Sequence, residues 1–436
     1  MIKRTILPII LQCFLFIAVF MPWALFLCYP LSWLPMQKYH RDRFRLIIKR
    51  IIAKDKAYQL AVKLWKCNRK LRWNLIRTFF VNTFYLRNIS ADFPFPAPRV
   101  LNIFVSNRCN CDCKYCFVKG THQEEMSDEL LDKVLTEAEG FNTLFICLSG
   151  GEPLMRESLF EHIRKHSGLL FLLFTNGLKM DEKTIGEIAD AGNVIPIFSL
   201  DGFEKTTSRK RSPSVWAAFE KASRELQKHR IIFGYSCHTE QDNFDESTSR
   251  EFIETMEKYG CTVGWYSLHI PMSEYDVNNK VLRPEQRIDL LNRLEIQREK
   301  AMILIDSASD SRFLGSCSAG GNVLIHIEAN GDICPCQFLP FSVGNIKNMS
   351  ILDAVKSKFF CNVRELGKMK CCRDNIAGCI ALDKRRDLLN IISDCKDDIT
   401  NHSRNLAEKW SSYQLAMDDY EKSLSAKIDA EVEFRS

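Results

Sequence analysis

Cys109, Cys113 and Cys116 stand in the run Arg108-Cys-Asn-Cys-Asp-Cys-Lys-Tyr-Cys-Phe117, a C-x3-C-x2-C spacing with an aromatic, Tyr115, before the last cysteine. Three thiolates at this spacing reach three irons of one [4Fe–4S] cube and leave the fourth iron without a protein ligand. An iron left open in this way is what a chelating cosubstrate needs. A structural zinc site would want four ligands in paired spacing, a different pattern from this local set.

Such a loop needs a rigid element behind it. The apolar run 100–105 precedes it directly, and similar β-rich runs follow at 143–148, 169–175, 194–200, 231–238 and 261–268. Between them lie amphipathic stretches, among them 128–139, 181–191, 215–229 and 247–259. Strand-then-helix alternation predicts parallel strands joined by right-handed crossovers. Alternation alone fits an open doubly wound sheet as well as a barrel. Polar motifs fall at the predicted C-terminal ends of these strands, where parallel α/β folds place ligand sites. They are Ser149-Gly-Gly-Glu-Pro-Leu154, Thr175-Asn-Gly177 and Ser199-Leu-Asp-Gly202. His238 and Cys237, at the end of the fifth run, point to the same mouth, although such residues are more often core or rim groups.

The cysteine run, the GGEP segment and the later strand-end motifs together resemble the radical SAM superfamily. That resemblance implies an α/β fold with a partial (β/α)6 barrel, a [4Fe–4S] cluster on Cys109, Cys113 and Cys116, and S-adenosylmethionine on the open iron. It assigns no ligand role to Cys111. It implies that Gly150, Gly151, Glu152 and Pro153 meet the methionyl amine. Ser199 and Asp201 would lie near the ribose, and Thr175, Asn176 and Tyr115 join the cofactor-binding set. The expected chemistry is reductive cleavage of S-adenosylmethionine to a 5′-deoxyadenosyl radical that abstracts hydrogen from an unactivated C–H bond.

Past the helical run 284–300 the chain changes character. Cys317, Gly331 and Cys336 form a C-x13-G-x4-C pattern, with Asn330-Gly331 a good hairpin turn. With the later Val343-Gly-Asn-Ile346, this resembles the SPASM and twitch extensions that hold an auxiliary Fe–S cluster. A full SPASM domain would continue C-x2-C-x5-C-x3-C, whereas here Cys371 and Cys372 are followed by Cys379 and then by Asp383. One auxiliary cluster on Cys317, Cys336 and Cys379 is therefore expected, with Cys334, Cys371 or Cys372 as candidates for a fourth ligand. Cys361 and Cys395 read as reduced structural thiols.

The chain has 436 residues, a net charge of +6 and 18 cysteines, whose ligand-like spacing favours metal binding in a reducing compartment over disulfides. No charged residue occurs from Thr5 to Gln37, a run longer than the ~20 residues that cross a bilayer. Pro22 leaves a re-entrant hairpin as the alternative to a single span. Basic residues past Lys38 outnumber Lys3 and Arg4, which places the C-terminal part in the cytosol. The segment up to Arg87 then mixes apolar residues at helical spacing with Lys54, Lys63, Lys66, Arg69, Lys70, Arg72 and Arg77. It reads either as a basic helix on an anionic leaflet or as a helix packed on the catalytic domain.

The expected organisation is a membrane anchor at 1–37, a basic amphipathic region at 38–98, the radical SAM core at 99–305, a SPASM/twitch-like domain at 306–395 and a helical tail at 396–436. The leading expectation for the substrate is a membrane-associated lipid. The alternatives are a peptide-modifying maturase and, from another class, a non-catalytic membrane Fe–S electron-transfer protein. The expected partners are the lipid bilayer, through the N-terminus, and a flavodoxin- or ferredoxin-type electron donor; no nucleic acid is expected.

Overall fold

The computed structural model describes residues 66–75, 77–78, 97–113, 115–118, 124–141, 143–272, 280–298, 302–369, 376–402, 420 and 422–428. The expected membrane anchor, most of the basic region, and Cys371 and Cys372 lie outside the described residues. Among the described residues no helix is long and apolar enough to cross a membrane.

Seven parallel strands form the scaffold: β1 (Val100–Ser106), β2 (Phe145–Gly150), β3 (Phe171–Thr175), β4 (Val194–Ser199), β5 (Gly234–Thr239), β6 (Val263–Leu268) and β7 (Ile303–Asp306). They lie side by side in sequence order, so each crossover returns to a neighbouring strand. A doubly wound sheet would reverse strand order partway; this sheet does not. The six expected strands are present, and β7 adds one more beside β6. On the other edge β8 (Leu324–Ile327) pairs parallel with β1, and β9 (Ile333–Cys334) pairs antiparallel with β8. Gly331, at φ +94°, turns that hairpin. The second cysteine module is thereby hydrogen-bonded into the barrel sheet.

Local chemistry sets the helix boundaries. Ser127 caps Asp128–Gly140 by accepting from the Leu130 amide at 3.3 Å, and Asp181 caps Glu182–Ala191 through the Thr184 amide at 2.8 Å. Gly192, left-handed at φ +69°, ends the latter helix. The apolar faces of these helices bury Leu131, Val134, Ile185 and Ile188 against the outer faces of the strands.

The inner faces meet different partners at the two ends. At the N-terminal end, Cys67 and Leu71 pack among Cys147, Leu172, Ile195, Ile197 and Ile232. The helical stretch 69–75 therefore plugs the barrel from below. Asn68 Nδ2 donates to the Ala189 carbonyl at 3.4 Å, the Lys70 ammonium to Asp190 at 2.6 Å, and Asn74 to Gly192 at 2.8 Å. Over the described residues 66–75, the apolar side of this segment packs on the catalytic domain, as one of its two readings expects.

Candidate active site

A cavity of about 260 Å³ opens at the C-terminal ends of the strands. Its wall includes Cys109, Cys113 and Cys116, the GGE segment, Thr175, Asn176 and Ser199, together with Tyr115, Arg211 and His238. The loop after β1, the turn after β2 and the ends of β3 to β5 thus converge as strand-end placement requires.

The two glycines explain how the loop is held. A Cβ on Gly151 would stand 2.1 Å from the Arg108 carbonyl oxygen, and one on Gly150 would stand 2.5 Å from that of Ser106. The Gly151 amide donates to Ser106 O at 2.7 Å and the Glu152 amide to Arg108 O at 2.8 Å. The glycines let the end of β2 pass directly against the start of the cysteine loop. The close approach that they permit here is between two stretches of protein backbone.

Glu152 is buried. Its carboxylate accepts from Thr175 Oγ1 and the Asn176 amide, both at 2.8 Å, and from the Leu154 amide at 3.2 Å. Burial outweighs these bonds and pushes its pKa up to about 7. Asn176 also reaches back to Asn110 at 2.7 Å, tying the end of β3 to the cysteine loop. Pro153 is buried at the start of a 3-10 turn and does not line the cavity.

The three thiols fit a cluster. They share one wall, and Cys109 feels the charge of both Cys113 and Cys116. Burial pushes the Cys109 thiol up to about 11, whereas a hydrogen bond from Cys111 brings Cys113 down to about 7. Cys111 also lines the cavity, as a hydrogen-bond donor to Cys113.

Asp201 sits differently from Ser199. It is fully buried and does not line the cavity. Its carboxylate accepts from the Tyr115 hydroxyl at 2.7 Å, from Arg211 at 2.9 Å and from the His238 amide at 3.1 Å. Every side of the carboxylate is engaged by protein, so here it positions Tyr115 and Arg211. The His238 ring stacks on Tyr115 at 4.5 Å and 3°. Behind it, His238 Nε2 and His269 Nδ1 are 2.8 Å apart, with Glu240 Oε1 at 3.6 and 3.9 Å from them. The other Glu240 oxygen meets the ammonium groups of Lys210 at 2.7 Å and Lys280 at 3.3 Å. These cations balance the carboxylate and oppose a metal ion at the triad. Burial, then the positive charges nearby, holds both histidines below their ordinary pKa, His269 at about 3. Cys237 is fully buried in the core, leaving His238 as the member of that pair at the mouth.

On the second module, burial and the charges of Asp383, Cys317 and Cys336 raise the Cys379 thiol well above its usual range. The structure thus gathers the three expected auxiliary ligands. Asp383 accepts from the Cys379 amide at 3.0 Å and forms a buried pair with Arg287 at 3.0 Å. An ion pair therefore fills the position where a full SPASM pattern would have another cysteine. Cys334 is buried on β9. Cys395 lies in the core and accepts from Asn362 at 3.4 Å, while the Cys361 thiol donates to the Lys356 carbonyl at 3.6 Å. The two cysteine sites share a polar bridge: Ser149 donates to Asn102 at 2.6 Å, and Asn102 donates to Gln337, the neighbour of Cys336. Gln337 and Phe338 complete the cavity wall.

Arg211, Glu240, His269, Asn102 and Gln337 were not among the sequence candidates. Glu240 and His269 stand directly past the ends of β5 and β6, so the strand-end rule applied to them too. Arg211 belongs to the short basic run Arg209-Lys-Arg211, which no strand-end motif marks.

Residues 103–258 match the family model of the radical SAM superfamily, and residues 317–379 match that of the SPASM iron–sulfur cluster-binding domain. A tungsten-containing aldehyde ferredoxin oxidoreductase cofactor-modifying protein of Pyrococcus furiosus is 30% identical over 58% of this chain and 80% of its own length. The AdoMet-dependent heme synthase of Methanosarcina barkeri is 22% identical over 58% of this chain and 80% of its own. The sporulation killing factor maturation protein SkfB of Bacillus subtilis is 23% identical over 57% of this chain, and that match spans 62% of SkfB. Streptococcus suis SuiB, solved with S-adenosylmethionine, shares the fold with a TM-score of 0.55 at 15% identity, covering 70% of this chain and 78% of SuiB. The chain belongs to the radical SAM superfamily and carries a SPASM domain. It is an enzyme whose cofactors are a [4Fe–4S] cluster, S-adenosylmethionine and auxiliary Fe–S.

Proposed function

We propose that the chain is a maturase that oxidises a precursor peptide at an unactivated C–H bond. The observation that carries this reading is the shared cavity wall. Cysteine-loop residues form one side, and Gln337 and Phe338, next to Cys336, form another. A substrate group in that cavity lies between the site that takes a hydrogen atom and the site that takes an electron. Among the relatives, SkfB is named as a maturation protein, and SuiB has been solved with its precursor peptide SuiA. Both favour a peptide over the membrane lipid expected from the N-terminal sequence.

With its cluster and cosubstrate bound, such a site supplies hydrogen-atom abstraction. Glu152 would receive the cosubstrate's ammonium group, and that added charge favours its ionised form. Ser199 would offer its hydroxyl to the ribose. Asp201 would keep the Tyr115 ring fixed against His238, so that the cavity floor does not shift during turnover. The reductant on this reading is a flavodoxin- or ferredoxin-type protein. Comparing peptides by mass from cells with the chain and cells with its Cys109/Cys113/Cys116→Ala variant tests the function. A peptide lighter by two hydrogens only with the intact chain is expected. Unchanged peptides alongside an altered lipid would sink the peptide reading.

A further inference from the structure

The plug at the closed end of the barrel carries a second surface. Its apolar side is spent on Cys67 and Leu71, both buried in the barrel. Its outward side exposes Lys66, Arg69, Lys70, Trp73 and Arg77, with Trp73 61% exposed. The Lys70 and Arg77 head groups donate to the carbonyls of Asp190 and Ser167, both at 2.6 Å. Neutral carbonyls orient these cations without cancelling their charge. Exposed Arg230 sits at the same end, since its carbonyl accepts from the Asn68 amide at 2.7 Å. Exposed acidic groups at this end include Glu139 and Asp190. A large exposed aromatic ringed by cations matches the headgroup level of a bilayer, where an indole sits at the interface and basic residues meet anionic lipid.

The chain on the N-terminal side argues for the same occupant. The charge-free run ending at Gln37 and the basic stretch after it lead into Lys66. We propose that the closed end of the barrel, centred on Trp73, lies against an anionic lipid bilayer, so that the catalytic mouth opens away from the membrane. The active site then faces the aqueous side, where a peptide arrives and a bilayer lipid does not. This orientation does not depend on the peptide reading, and the two can fail separately.

The test uses the full chain with its clusters, reconstituted into vesicles of phosphatidylglycerol and phosphatidylcholine. A p-benzoylphenylalanine photocrosslinker replaces Trp73 in one sample and Phe313 in another. Phe313 is 70% exposed and follows the C-terminal end of β7, on the mouth side. Iron content and S-adenosylmethionine binding establish that each variant is folded. Lipid adducts at 73 should exceed those at 313 by at least about tenfold. They should fall in pure phosphatidylcholine and in an Arg69→Glu/Arg77→Glu variant. Adducts mainly at 313, adducts at neither position, or preferential crosslinking of 73 to added nucleic acid or to a second copy would each overturn the orientation.

Discussion

The two ends of this barrel are built from the same strands and do opposite work. At the closed end, inward positions are Leu172, Ile195 and Ile197, sealed by Leu71. At the open end, the same strands present Ser149, Thr175, Ser199 and His238 to a cavity. Stability is concentrated where apolar side chains interdigitate, and chemistry is concentrated where polar groups are held by one another. Mutations at the closed end should therefore cost folding and leave the cofactors in place, whereas those at the open end should also change cofactor loading or the response to acid.

The largest contrast comes from two truncations. Removing residues 1–60 should leave the clusters loaded, whereas removing 1–90 takes the plug and exposes the apolar interior. The longer deletion should aggregate or lose cooperative unfolding, as read by size-exclusion chromatography and thermal melts. Equal behaviour of the two proteins would break the proposed division. Gly151→Ala is next: its Cβ would meet the Arg108 backbone oxygen at 2.1 Å, a contact that no side-chain adjustment relieves. Iron at the first site should be nearly abolished in a Cys317/Cys336/Cys379→Ala background. Normal loading would show that the cysteine loop does not rely on this backbone pass.

Asp201→Asn should cost about 3 kcal/mol in denaturant unfolding, because it removes the buried carboxylate that balances the largely buried Arg211 guanidinium. Leu71→Ala should cost about 3 kcal/mol while leaving S-adenosylmethionine affinity unchanged. A change in affinity would mean that the two ends are coupled. The smallest effect concerns acid. His269 is held at about 3 against an ordinary 6.5, so the native state keeps it neutral. Its contribution to stability is present above pH 6.5 and is lost as the pH falls toward 3. His269→Asn should therefore lose about 2 kcal/mol less than the parent between pH 7 and pH 4.5, measured by urea unfolding.

Strand-end motifs were legible because a parallel α/β fold leaves little choice about where loops carry ligands. The cysteine loop, Glu152, Thr175, Asn176 and Ser199 all line the cavity for that reason. Asp201 was misplaced by the same reasoning: its position beside Ser199 says nothing about the direction of its side chain, and Arg211, ten residues on, draws it inward. The membrane reading of the basic segment failed for the described part of its apolar side. Helical periodicity marks a face to be covered without specifying whether lipid or barrel covers it.

The sequence by itself determined the family, the place of the cysteine loop after the first strand and the order of strands and helices, since spacing and local pattern carry that information. The tertiary structure decided what lies beyond any local window. Asp201 serves Tyr115 and Arg211, Gly150 and Gly151 admit the backbone of the cysteine loop, and an Arg287–Asp383 pair occupies the position of a missing cysteine. Each depends on a partner brought near by the fold, and side-chain contact over such separations follows from packing.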